Sequence, residues 1–168
     1  MLRDKNLIPL SHQHQHALSV CVRIDRALQA GVIDLEAWQA EIAQIYNQEI
    51  GIHFTAEEEI LFPSARRCEG LPPLVDELLR EHAVLREYFV QASVGSMSLG
   101  DLKSFGEKLS AHVRKEERQL FEGMQTAMGA EELAALGAAI EKALANASKA
   151  CVLPTRATRI RSRVAMKA

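Results

Sequence analysis

The sequence predicts an all-α protein, an up-down-up-down four-helix bundle with an additional short C-terminal helix. Three observations carry this. Four long segments repeat apolar residues at helical spacing, short breaks rich in Gly and Pro separate them, and strand-like alternation appears nowhere at length. Aromatic residues are 5% of the 168-residue chain, whereas a sandwich or barrel would want more aromatic and β-branched residues. Long helices joined by short loops must alternate in direction.

The first helix opens after Pro9, with Ser11 as its N-cap, and runs to about Ala30, where Gly31 stops it. The second starts near Asp34 and continues through Trp38, Ile42, Ile45, Ile52 and Ile60 to Phe62, ended by Pro63. After the break CEGLPP, the third takes Pro72 or Pro73 as a first-turn proline and reaches about Ala92. SVGSMSLG reads as a loop. Asp101 then begins a fourth helix that extends to about Met128, before Gly129, and a shorter amphipathic stretch covers Glu131 to Leu144.

Hydrophobic residues are 48% and charged residues 25%, which excludes wholesale disorder. The net charge of −2 hides an asymmetry: six of the 20 basic residues and none of the 22 acidic ones follow Leu144. The body therefore carries −8, a poor match to phosphate, so no nucleic-acid partner is expected. These features divide the chain into a bundle over 1–144 and a basic, flexible tail over 145–168. No apolar run spans a bilayer and the N-terminus is no secretory signal, so no membrane partner is expected. Cys21, Cys68 and Cys151 form neither a CxxC pair nor a disulfide framework, which suits a reduced, cytoplasmic protein. Cys21 lies on the first helix's core stripe, and Cys68 falls in a loop where it could be exposed.

The chemistry lies in the histidines. His53 shares a stripe with Ile42, Ile45 and Ile60, His112 with Leu102, Phe105, Leu109 and Leu120, and His82 with Val75, Leu78, Leu85 and Phe89. In SHQHQHAL, His14 leads to Ala17, Leu18, Cys21 and Ile24, whereas His12 and His16 lead to largely polar faces. Glu57 and Glu116 follow His53 and His112 by four residues, roughly 40° around the helix. Four imidazoles and two carboxylates in one small core cost several kcal/mol per unpaired charge unless something neutralises them. On these stripes only Arg86, one turn past His82, is basic. A pair of metal ions solves the problem, with neutral imidazoles donating nitrogen and two carboxylates offsetting charge. A purely structural, hydrogen-bonded cluster is the alternative.

PLSHQHQHAL, HFTAEEEILFP, LLREHAVL and HVRKEERQLF resemble the bacterial hemerythrin-like (HHE cation-binding) domain family over about residues 8 to 128, HFTAEEEILFP being the most specific. The resemblance implies a non-haem di-iron centre, oxo- or hydroxo-bridged, with manganese or mixed metal as alternatives. It makes His14 and His53 ligands of one iron, His82 and His112 of the other, and Glu57 and Glu116 the bridges. Oxygen-carrying members have a fifth histidine from a His-x-x-x-His pair on the third helix, where this chain has Leu78 before His82 and Arg86 after it. They also place the second bridging carboxylate five residues after its histidine. Here both Glu116 and Glu117 stand near that place; regular helix geometry prefers Glu116, since the fifth residue lies roughly 140° away, and a π-bulge would reverse the choice. Glu58, Glu81, Tyr46 and Tyr88 are further candidate or outer-layer ligands, with an ordinary boundary role as the alternative.

The function implied is binding or sensing of O2 or iron without catalytic turnover, with another diatomic or peroxide as alternative small partners. A di-iron enzyme acting on peroxide or nitric oxide, an iron donor in iron-sulfur centre repair, and an interaction module with a structural metal site are the rival readings.

Overall fold

A computed structural model describes residues 2–145 together with Ala147, Pro154, Thr155, Thr158 and Arg159. Most of the basic tail, including Cys151, lies outside the described residues. Five helical rods, and no strand among the described residues, make up the fold. They are α1 (Ile8–Ala30), α2 over 35–65, α3 (Pro72–Ser93), α4 over 99–127 and α5 (Ala130–Leu144). No helix among the described residues is long and apolar enough to cross a membrane.

Side-chain contacts set the directions. Early α1 meets late α2 (His14 with His53) and late α1 meets early α2 (Arg23 with Glu41), so the two are antiparallel. Glu58 with His82 and Gln39 with Met97 orient α2 against α3 in the same way. His82 with His112 and Phe89 with Phe105 do so for α3 and α4. The up-down-up-down bundle thus follows from pairings, with α5 packed against α2.

Local chemistry explains the ends. Asp34 caps α2 by accepting from the Ala37 N–H, and Ser98 and Asp101 form a reciprocal capping box for α4. That box starts α4 at Leu99, two residues earlier than the sequence suggested. Gly31 closes α1 at φ 67°, a left-handed conformation that glycine adopts without cost. Ser11 is not the N-cap of α1. The helix begins at Ile8 with Pro9 in its first turn, and the Ser11 hydroxyl donates to Glu117 instead.

Three π-helical turns interrupt the two rods that carry His-x-x-x-Glu: Tyr46–Ile50 and Glu57–Leu61 in α2, and Glu116–Leu120 in α4. Each inserts about one residue per turn and rotates everything beyond it. Leu61 is therefore fully buried, while Ile60, expected on the core stripe, is only partly buried. Likewise Ile50 is buried where regular spacing favoured Ile52. Pro63 does not end the helix, which continues to Ala65. The Phe62 N–H already reaches back five residues to the Glu57 carbonyl, so the missing proline N–H falls where the regular ladder is displaced.

The apolar interior is split in two. One cluster holds Ile24, Trp38, Ile42, Phe54, Phe89 and Phe105; the other holds Leu10, Leu61, Phe62, Leu78, Phe121 and Ile140. Cys68 belongs to the second and is buried, not exposed; burial raises its thiol pKa, and it raises that of Cys21 to about 12. A second polar contact lies towards the tail, where Arg23 pairs with fully buried Glu41, and Thr155 and Thr158 also donate to that carboxylate.

The shifted register is testable by urea unfolding. Leu61→Ala should cost about 2–5 kcal/mol, and Ile60→Ala clearly less. The opposite order would contradict the π turn at Glu57–Leu61.

Candidate metal centre

Between the two apolar clusters lies a polar layer built from one level of each long helix. His14 sits between Leu10 and Ala17, His82 between Leu78 and Leu85, and His112 between Leu109 and Leu120, so each imidazole enters where one cluster gives way to the other. His14, His53, Glu57, His82, His112 and Glu116 are all at most 4% exposed. The structure brings these six side chains together. They form two groups, His14, His53, Glu57 and Glu116, and His82, His112, Glu57 and Glu116, whose candidate donor atoms lie within 4.8 Å of one another.

The two carboxylates join the groups. Glu57 Oε1 lies 3.0 Å from His53 Nε2 and 3.6 Å from His14 Nε2, and its Oε2 lies 3.3 Å from His82 Nε2. Glu116 Oε2 is 3.1 Å from His14 Nε2 and 3.4 Å from His112 Nε2. None of these contacts has hydrogen-bond geometry, and all four carboxylate oxygens are buried without a hydrogen-bond partner. The imidazoles face each other in pairs, His14 with His53 and His82 with His112, each at 3.1 Å between Nε2 atoms. Phe54 stacks on His82 at 3.8 Å between ring centroids, and Phe121 lies parallel to His14.

Every Nδ1 is engaged by an outer acceptor. Glu117 takes His14 at 2.7 Å, Gln13 takes His53 at 2.8 Å, Glu58 takes His82 at 2.7 Å and Glu81 takes His112 at 2.8 Å. Each Nδ1–H that donates outward leaves an Nε2 lone pair pointing inward. Two such lone pairs 3.1 Å apart, beside unpartnered carboxylate oxygens, repel unless positive charge sits among them. The nitrogen and oxygen donor set fits metal cations.

The same need shows in the acid–base balance. Burial disfavours a charged His14, yet Glu116, Glu117 and Glu57 hold its pKa well above the ordinary imidazole value. His82 rises to about 9, with burial opposing and Glu57 and Glu58 prevailing. Glu57 stays well below the usual carboxylate range despite burial, because His53, His14 and His82 surround it. The hydrogen bond from His82, aided by Arg86, holds Glu58 at about 2; His14, Ser11 and Arg3 overcome burial to hold Glu117 there too.

The outer candidates divide cleanly. Glu117 lies outside the carboxylate pair, because the π turn begins at Glu116 and leaves the four-residue spacing from His112 regular. Consecutive helical residues point about 100° apart, so Glu116 enters the layer while Glu117 reaches across to His14. Glu58 and Glu81 act as orienting acceptors, backed by Arg86 and Lys115. Tyr46 and Tyr88 are not brought to the cluster: Tyr46 stacks on Phe89 and Tyr88 packs against Phe105. His12 is exposed, and half-exposed His16 faces Glu49. Gln13 escapes a search for metal-binding residue types. Its one sequence signal is its place beside His14, as Glu81 stands beside His82.

A family model described as the Hemerythrin HHE cation binding domain matches residues 9–124, well over half of the chain and all six inward-facing side chains. No match was found among the curated proteins or the solved structures.

The shifted groups set a pH window for the protein kept free of metal by a chelator. His82, raised from 6.5 to about 9, contributes stability that is complete below 6.5 and lost as pH climbs through about 9. Glu57, lowered from 4.5, contributes stability that is present above 4.5 and lost as pH falls through its native value. The melting temperature of the metal-free protein should therefore fall between pH 6.5 and 9. A rise over that interval in thermal denaturation would contradict the proton-holding cluster.

Proposed function

The chain belongs to the hemerythrin HHE cation-binding family, and from that premise we propose that it is a non-haem di-iron protein that binds O2 reversibly. His14, His53, Glu57, His82, His112 and Glu116 are the proposed ligands. One observation carries the reading: four buried carboxylate oxygens without a hydrogen-bond partner lie between two facing pairs of imidazole nitrogens. Iron suits donors that are all nitrogen and oxygen, with no thiolate among them. When bound, such iron supplies reversible electron donation to a small diatomic ligand.

The protein's own part is to hold, orient and shield. Each group offers four donors, two imidazoles and two carboxylates. That number leaves positions open for a small ligand at an octahedral ion. The outer acceptors fix all four rings in the tautomer that donates from Nε2. The apolar clusters above and below keep the layer dry, which strengthens every charge interaction within it.

Ligand size also supports the reading. A cavity of about 10 Å3 borders the layer, lined by Ala17, Ile50, Phe54, Leu109 and Val113 with Gln13, His14, His53 and His112. It has room for about one water-sized molecule, which suits a small ligand better than an organic substrate. Its largely apolar wall favours uncharged O2.

Anaerobic iron loading should give close to two irons per chain. An oxygen-dependent band in the near-ultraviolet and visible should appear and disappear reversibly without consumption of reductant. His53→Ala and His112→Ala should lose most of the iron, while His12→Ala and His16→Ala keep it. Unchanged iron in both core variants would overturn the ligand assignment, and steady consumption of reductant under O2 would overturn reversible binding.

A further inference from the structure

The outer acceptors form a closed ring around the bundle. Gln13 of α1 supports His53 of α2, Glu58 of α2 supports His82 of α3, Glu81 of α3 supports His112 of α4, and Glu117 of α4 supports His14 of α1. Each supporter is the sequence neighbour of an inward-facing residue on its own helix, so a single turn of each rod supplies both layers. Three members of the ring are carboxylates. The fourth, Gln13, is an amide.

We propose that Gln13 makes the two halves of the centre unequal, so that a cation at His14 and His53 is held more weakly than one at His82 and His112. This rests on the two-cation reading above. A carboxylate facing Nδ1–H pulls the proton outward and makes Nε2 a stronger donor; an amide oxygen does so far less. His82 and His112 both have carboxylate support, whereas of the other pair only His14 does.

The bases behind the ring do not cancel this difference. Arg86, Lys115 and Arg3 each pair with one of the three glutamates. At Glu81 and Glu117 the base takes the oxygen that does not face Nδ1, whereas Arg86 shares Oε1 of Glu58 with His82; each of the three Nδ1 atoms still faces a carboxylate. Gln13 brings no charge at all.

The amide also locks less firmly. It can present either its oxygen or its NH2 to the His53 ring, and only the oxygen leaves Nε2 free to donate inward. A carboxylate has no such second face. Both effects weaken the same half of the centre. Replacing an outer partner of a ligating histidine typically changes metal affinity by about 10- to 100-fold, and the gap between the two halves should be of that order.

The test uses the whole chain, stripped of metal and given one equivalent of Zn2+, with the occupancy of each half measured by anomalous X-ray scattering. In the wild type, Zn2+ at His82 and His112 should exceed Zn2+ at His14 and His53 by about tenfold or more. Gln13→Glu should bring the ratio towards one while two equivalents still bind. Glu81→Gln should narrow it from the other side by weakening the tighter half. A Gln13 that served packing alone would change the melting temperature in Gln13→Glu and leave the ratio where it was. Equal occupancies in the wild type, or a ratio unmoved in Gln13→Glu, would overturn the inference. Zn2+ absent from both pairs at two equivalents would overturn the two-cation reading itself, and this inference with it.

Discussion

Two carboxylates sealed in an apolar bundle, with no lysine or arginine beside them among the described residues, dominate the energetics of this molecule. Glu57 and Glu116 are fully buried, and the nearest groups that can carry positive charge are imidazoles on neighbouring rods. An uncompensated charge at such depth costs several kcal/mol. The register of all four long helices follows from satisfying it, since His14, His53, His82 and His112 must reach one level from four separate backbones. Protons meet the need in part, which is why the His14 and His82 pKa values rise. Cations meet it more fully, because they accept donation from Nε2 lone pairs and from carboxylate oxygens at once.

The polar layer also decides how the core is divided. A bundle of this length would ordinarily carry one continuous apolar seam; here there are two clusters with the charged layer between them. The π turns reconcile the two demands. In α2 regular spacing from His53 brings Glu57 to the layer, and the extra residue of the π turn then returns Leu61 with Phe62 to the apolar cluster. In α4 regular spacing from His112 does the same for Glu116, and the π turn returns Leu120 with Phe121. A regular helix beyond each glutamate would turn those apolar pairs aside. The repeat of His-x-x-x-Glu is thus joined to a repeat of local backbone geometry.

How far the sequence discloses this depends on the range of the physics involved. Helical periodicity is local, so the rods and the inward faces of His14, His82 and His112 were legible from apolar neighbours three and four residues away. That Glu116 rather than Glu117 turns inward was legible for the same reason, the spacing from His112 being regular up to the π turn. What escaped is what the chain hides from local patterns. A π turn has no compositional signature in EEEILFP, so Ile60 looked like core and Pro63 like a terminator. Ser11 resembled a cap because its true partner, Glu117, is more than a hundred residues away. Cys68 looked exposed because its cover comes from packing with distant residues such as Leu136 and Ile140. Gln13 was missed because glutamine is not a residue type associated with metal, and its role exists only through His53.

The position of the small cavity gives that last residue added weight. The cavity opens against His14 and His53 and touches Gln13 itself, with His112 as its single contact from the opposite pair. The cavity therefore borders the half of the cluster whose outer support includes the amide. On the proposed two-cation reading, weaker donation from His53 would leave that half readier to accept a further ligand than the half at His82 and His112, where both imidazoles have carboxylate support. The two halves share Glu57 and Glu116, so each of these carboxylates belongs to both donor groups. A ring of four carboxylates would support both halves alike. One amide among three carboxylates breaks that symmetry, and it lies on the side that the cavity borders.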